Sequence, residues 1–323
     1  MAKKDKENFE NIEEKLNSKY SFQLKKEVVP TSSMGLNIAS AVGGIGVGKI
    51  IRINGKEGAG KTTLVAEIIA SFQRAGKKCK YFDYEYSIDV DYMATLGVNT
   101  EGLFIYPETL EEGYDVAIEL MRTGNYGLII FDSLNSMPPK VITTEAYAAG
   151  DSIVAVQSRI HSMMFPILKS TAARNHCSVI GIAQNRANIG SFGAGNDVSK
   201  APGNAWLYYP DIAITVGRLK TTKEDNTFKN SVEFDKNKLG TPFGRGAIHY
   251  VGGEGIDIAA DILFYGELSG VIKRVGNTYM YGETKLGVGL NGVRAFFEDN
   301  VDYLKELFKE VQDSVEDIRI STK

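Results

Sequence analysis

An α/β fold with a mostly parallel central sheet flanked by helices is predicted by three features of this 323-residue sequence. From "GKIIRING" onward, short apolar runs alternate with helix-like stretches, the pattern of strands that need crossover helices. The glycine-rich segment "GKEGAGKTT" at 55–63 follows one apolar run and opens a helical one. After about residue 266 the pattern changes to short hairpin-like runs followed by amphipathic helices, which adds a small α+β C-terminal domain.

Taken in order, residues 1–30 read as an N-terminal helix and linker, the first twenty or so polar and helix-prone with Phe9, Ile12 and Leu16 spaced three and four apart. That narrow apolar stripe suits a helix packed either on its own domain or on a neighbouring subunit. The strands of the core, placed at 31–266, are "GKIIRING", "KYFDYE", "LFIYP", "GLIIFDS", "SVIGIAQN" and "DIAITVG", with helices over 61–75, 110–123 and 152–174. Residues 267–323 supply a hairpin, a helix and a second amphipathic helix. No fixed-period repeat or low-complexity tract interrupts this order.

Composition narrows the class. Hydrophobic residues make up 43% and charged residues 24%, the balance of an ordinary globular chain without a membrane-spanning run. The first twenty residues are charged throughout and lack the apolar stretch of a secretory signal, so a cytoplasmic protein is expected. Cys79 and Cys177 lie in apolar runs and read as buried free thiols. His161, His176 and His249 form no cluster, which argues against zinc and leaves any metal to arrive with a nucleotide. The net charge of -3 disfavours nucleic-acid binding through bulk positive charge, though local loops can still supply phosphate contacts.

The segment at 55–63 has phosphate-loop spacing. Gly55, Gly58 and Gly60 allow backbone N–H groups to turn inward on a triphosphate, with Glu57 and Ala59 between them and a helix N-terminus behind. Lys61 reaches the outer phosphates, Thr62 offers its hydroxyl to magnesium, and Thr63 follows in the helix. "GLIIFDS" ends in Asp132, a carboxylate at the C-terminal sheet edge suited to orienting that magnesium through water. "FDYEYSID" places Asp83 and Glu85 two apart on one face, with Glu85 the candidate general base. "SVIGIAQN" ends in Gln184, whose amide suits a terminal phosphate, and leads into a long Gly/Asn/Ser-rich loop over 185–203. In "VEFDKNKLGTPF", Lys236 and Lys238 share a strand face and call for a common anion.

These segments stand in the order of the RecA family of homologous-recombination ATPases, which the chain resembles over nearly its whole length. The series runs through "TSSMGLNIASAVGGIGVGKIIRINGKEGAGKTTL", "YFDYEYSIDVDYMATLGV", "IIFDS", "GDS", "GIAQNRANIG", "PGNAWLYY" and "KNKLGTPF". The resemblance implies a RecA-like P-loop ATPase core using ATP and magnesium. It makes Glu85 the catalytic glutamate, Gln184 the phosphate sensor, and Asp89 and Tyr92 the adenine contacts. Lys236 and Lys238 match lysines that reach a neighbour's ATP across the subunit boundary, so hydrolysis would depend on assembly.

Two loops, near 143–152 and 185–203, match DNA-binding elements. Ser152, Arg159, Arg186, Asn188, Ile189, Gly203 and Asn204 stand at their matching positions. Phosphate contacts from such loops fix a strand without reading its sequence, and Ile189 suits a wedge between base steps. The resemblance thus implies helical filaments on single-stranded DNA, pairing with duplex DNA, the first helix docked on the adjacent subunit, and loader or single-strand-binding proteins as further partners. Alternatives within reach of the same motifs are a RecA-like ring helicase or clock-type motor, and an accessory DNA-coating filament protein. Departures from the family pattern are Lys56 in place of proline, Gly58 and Ala59 in place of serines, Val154 in place of methionine, Pro202 in place of glycine, and a short C-terminal region.

Overall fold

The computed structural model describes residues 26–140, 153–184, 204–222 and 227–321. The strands are β1 (Val28–Val29), β2 (Ile45–Gly46), β3 (Ile50–Gly55), β4 (Lys78–Asp83), β5 (Phe104–Ile105), β6 (Tyr126–Asp132), β7 (Ser178–Gln184), β8 (Ile212–Thr222), β9 (Thr227–Asn237), β10 (Gly244–Val251), β11 (Gly255–Ile256), β12 (Ile272–Val275), β13 (Thr278–Tyr281) and β14 (Thr284–Val288). The helices are α1 (Met34–Ser40), α2 (Lys61–Arg74), α3 (Val90–Thr95), α4 (Leu110–Arg122), α5 (Ile153–Arg174), α6 (Asn204–Tyr208), α7 (Ile258–Ser269), α8 (Gly289–Asp299) and α9 (Val301–Ser321). The N-terminal stripe at Phe9, Ile12 and Leu16 lies outside the described residues.

The main sheet has nine strands in the order β11-β10-β9-β8-β3-β7-β6-β4-β5. From β5 to β8 every neighbouring pair is parallel, whereas β9, β10 and β11 extend the sheet antiparallel through direct connections. The sequence runs that read as continuous apolar segments are the parallel strands, and they are buried because helices cover them. One face packs against α2 through Leu64, Val65, Ile68, Ile69 and Phe72; the other carries Phe82, Phe131, Phe165 and Trp206. Each such side chain contributes roughly 1.5–3 kcal/mol on burial.

A third cluster joins α1 to the C-terminal elements: Met34 and Ile38 pack with Ile262, Leu263, Phe297 and Val311. Strands β12, β13 and β14 form an antiparallel meander of three, one more than the hairpin expected from the sequence, because "ETKLGV" returns along β13. Helix α1 can lie against β10 only because Gly35 has no side chain: a Cβ there would sit 2.0 Å from the Ala247 carbonyl oxygen.

The helix starts divide into two kinds. Helices α1, α3, α4 and α7 are capped by the side chains of Ser33, Asp89, Thr109 and Asp257. Helix α2 begins at Gly60, in the left-handed region at φ 85°, without a side-chain cap. Its first N–H groups are therefore left to an external acceptor.

Candidate functional site

Parallel pairing sets the ends of four strands side by side. Gly55 of β3 is level with Gln184 of β7, and Asp83 of β4 with Asp132 of β6. The phosphate loop, the carboxylates and the amide thus share the C-terminal sheet edge, where open α/β sheets bind ligands. Gly58 and Gly60 both have positive φ, 68° and 85°, so glycine is what lets the loop turn its N–H groups inward. Lys61 is buried and donates from Nζ to the carbonyl oxygens of Gly55 and Lys56, at 3.1 and 2.9 Å. Burial pulls its ammonium below the ordinary lysine value, and the charges of Asp132, Glu85 and Glu57 oppose that shift.

A cleft of about 300 Å³ opens beside the loop, lined by Gly58, Gly60, Lys61, Thr62, Thr63, Arg218, Phe228 and Asn230. The last three come from β8 and β9 and carried no sequence signal, since only sheet register brings them to the loop. Asn230 donates from Nδ2 to the Ala59 carbonyl oxygen at 2.8 Å and so fixes the loop from below. Tyr92 meets the helix that follows, with its hydroxyl 3.2 Å from Thr63 Oγ1. Asp89 caps α3 by accepting from the Tyr92 N–H at 2.9 Å.

Glu85 and Asp83 do not act as a pair. The Asp83 carboxylate is buried and accepts from the N–H groups of Glu85 and Tyr86, both at 2.9 Å, which turns the chain at the strand end. This ends the strand alternation, so the two side chains part. Glu85 Oε1 instead accepts from Ser133 Oγ, from Ser136 Oγ at 3.2 Å, and from Gln184 Nε2 at 2.8 Å. The candidate base and the candidate sensor are thus hydrogen-bonded to each other. Gln184 is fixed further by its own N–H, which donates to Asn135 Oδ1 at 3.2 Å.

Asp132 accepts a hydrogen bond from the Tyr81 hydroxyl. Its burial, with Glu85 and Asp83 nearby, raises its carboxyl to about 6, although Tyr81 and Lys61 act in the opposite direction. A carboxylate so poor in compensating charge, within electrostatic reach of Lys61, fits a divalent cation, and the cradle of N–H groups fits the phosphates that bring it. One consequence is measurable. The folded protein holds this proton more tightly than the unfolded chain, so the stability this one group contributes is full below about pH 4 and is lost as pH rises toward about 6. Asp132→Asn is therefore expected to stabilise the nucleotide-free and magnesium-free protein at pH 7.5 by about 1–3 kcal/mol. Thermal melts of both forms test this; a lower melting temperature for the variant would show the charge to be already compensated.

Lys236 and Lys238 lie at the other end of the sheet. Ile212 is level with Ile51 at the start of β3, and Asn237 is level with Ile212. Strand β9 ends at Asn237 and its register slips opposite Ala213 and Ile214, so Lys238 lies beyond the strand and the shared face predicted from alternation does not extend to it. The two ammonium groups converge all the same on residues 208–211. Lys236 Nζ donates to the Tyr208 carbonyl oxygen at 2.6 Å, and Lys238 Nζ lies 3.3 Å from Asp211 Oδ1. Lys169 Nζ lies 2.6 Å from the same carboxylate oxygen. Burial and the charges of Lys238 and Lys169 pull the Lys236 ammonium below its ordinary value. Burial would raise the Asp211 carboxyl, but Lys169, the Ile50 N–H and Lys238 hold it below the usual range.

Of the positions matched to DNA binding, Arg159 is exposed on α5, and Asn204 opens α6. Ser152, Arg186, Asn188, Ile189 and Gly203 lie outside the described residues.

Comparison with known proteins gives a consistent set of similarities. Residues 6–257 match the family model of the RecA N-terminal domain, and residues 260–316 that of the RecA C-terminal domain. The chain is 34% identical over 293 residues to Protein RecA of Bordetella petrii, covering 89% of this chain and 81% of that one. To Protein RecA of Campylobacter lari it is 33% identical over 295 residues, covering 90% and 85%. The crystal structure of the RadB recombinase aligns with a TM-score of 0.48 and 18% identity, over 69% of this chain and 97% of that one.

Proposed function

The chain belongs to the RecA family, a group of ATPases of DNA recombination and repair, and on that premise we propose that it polymerises on single-stranded DNA and exchanges strands with a homologous duplex. ATP and magnesium are held by the loop at Gly55–Thr63 with Asp132, and adenine lies near Asp89 and Tyr92. Glu85 takes the proton of the attacking water. Lys236 and Lys238 serve the nucleotide of the adjacent subunit, and the loops near 143–152 and 185–203, with Arg159, contact DNA.

The observation that carries this reading is the placement of the lysine pair at the sheet edge opposite the phosphate loop. Four residue steps along β3 lead from Ile51 to Gly55, on the order of 13 Å at about 3.3 Å per residue. Within one subunit the pair faces away from its own nucleotide site, so a head-to-tail neighbour is what completes the chemistry. A cation supplied in this way stabilises developing charge only where two subunits meet. The Glu85–Gln184 hydrogen bond supports the second half of the reading: a change at the terminal phosphate alters what Gln184 can bond to, and Gln184 leads directly into the 185–203 loop.

The test is hydrolysis measured with and without single-stranded DNA, beside formation of joint molecules from homologous and heterologous duplexes. DNA-stimulated turnover and joint molecules restricted to homologous partners are expected. Directional unwinding by a closed ring, with no joint molecules, would overturn the proposal.

A further inference from the structure

Immediately after Glu85 the chain presents an exposed aromatic pair. Tyr86 and Tyr106 stack with centroids 5.6 Å apart and planes 16° apart, and they are 68% and 48% exposed. Tyr86 takes a left-handed φ of 52°, a conformation that a bulky side chain rarely adopts. It is held there by the Asp83 carboxylate, which accepts the N–H groups of both Glu85 and Tyr86. Left-handed backbone at Tyr86 that helps deliver two stacked rings into solvent beside Glu85 is a feature that packing among the described residues does not use.

The surroundings select the occupant. Glu85, Asp89, Glu108 and Glu112 stand within six residues of one ring or the other along the chain, each exposed or half-buried, so the patch is acidic and attracts a cation. At the opposite sheet edge three lysines, Lys169, Lys236 and Lys238, surround the single carboxylate of Asp211. Tyr208 and Tyr209 stand exposed on the same edge. One edge is thus acidic and aromatic and the other basic and aromatic, and ammonium groups seat well on tyrosine faces. Two complementary but different edges are what a head-to-tail contact requires.

We propose that the Tyr86–Tyr106 stack is the platform on which the lysine-bearing edge of a second copy of this chain docks, next to the nucleotide that the two copies share. The inference rests on the reading that the nucleotide lies between subunits, and it adds the residues that seat the neighbour. Tyr86 and Tyr106 act by positioning: they set how firmly the incoming lysines are held, while nucleotide binding by a lone subunit does not involve them.

The test compares the full-length protein with Tyr106→Ser and Tyr106→Phe, using a non-hydrolysable ATP analogue and long single-stranded DNA. Light scattering gives the protein concentration at half-assembly. Tyr106→Ser is expected to raise it about tenfold and Tyr106→Phe to keep it within about twofold, while analogue binding by dilute monomer stays unchanged in both. Nitration of Tyr86 and Tyr106 by tetranitromethane, mapped by peptide, should be blocked by assembly and not by a trithymidylate too short to bridge two subunits. Assembly of Tyr106→Ser at the wild-type concentration would overturn the stack alone. Protection by the trithymidylate would replace the second copy with a stacked base, and a wild-type protein that never assembles would overturn the parent reading as well.

Discussion

Lys238→Ala is expected to lower DNA-dependent ATP hydrolysis by about 10³-fold while ATP binding to dilute subunits changes less than about threefold, because cations supplied in trans to a phosphoryl group carry effects of that order. The separation of effects follows from position. Lys238 sits at the start of the sheet and the phosphate loop at its end, so removing the side chain leaves the subunit's own nucleotide pocket intact. The fold should tolerate the change. Lys238 is 53% exposed, and its partner Asp211 keeps Lys169 at 2.6 Å, so a loss of no more than about 1 kcal/mol in stability is expected. Steady-state hydrolysis on single-stranded DNA, a fluorescent-nucleotide titration without DNA and a thermal melt together check the prediction. Wild-type turnover in the variant would refute the trans arrangement.

Glu85→Gln should reduce turnover by about 10²–10⁴-fold, the range of a lost general base, and should leave the ATP-bound complex gripping single-stranded DNA for longer than wild type does. The second effect comes from the hydrogen bond that survives. A glutamine at 85 still offers an oxygen to Gln184 Nε2, Ser133 and Ser136, so the proposed link from nucleotide to loop would persist while the proton acceptor is gone. Filter retention of labelled DNA after ATP is added, followed alongside phosphate release, separates the two effects. Turnover within about tenfold of wild type would reassign the base.

Much of the core was legible because its signals are local. A glycine at 58 or 60 announces a backbone conformation that few other residues take, and the loop's flanking strand and helix can be read from the same fifteen residues. The ends of β3, β4, β6 and β7 coincide because parallel strands with crossover helices align their C-terminal edges, so Asp132 and Gln184 could be set beside the loop from sequence. What escaped was whatever depends on distant register. Asn230 and Arg218 reach the cleft only because β8 lies next to β3 and β9 next to β8, and neither segment advertises that neighbour. Asp83 looked like a second acid facing the site; its role in turning the chain appears only when the N–H groups of Glu85 and Tyr86 are seen to point at it. The end of β9 at Asn237 likewise leaves Lys238 off the strand without changing where its charge goes.

The carboxylate of Asp211 has a consequence for how subunits exchange neighbours. It gives Lys238 a berth in the free molecule, so the long side chain is already gathered near its launch point rather than sampling solvent. In the proposed assembly the ammonium would leave one anion for another, with Lys169 remaining behind to keep Asp211 neutralised. The net electrostatic yield of adding a subunit is then a difference between two pairings. Growth and shrinkage at the polymer end should consequently respond to added salt less steeply than the number of bridging cations alone implies.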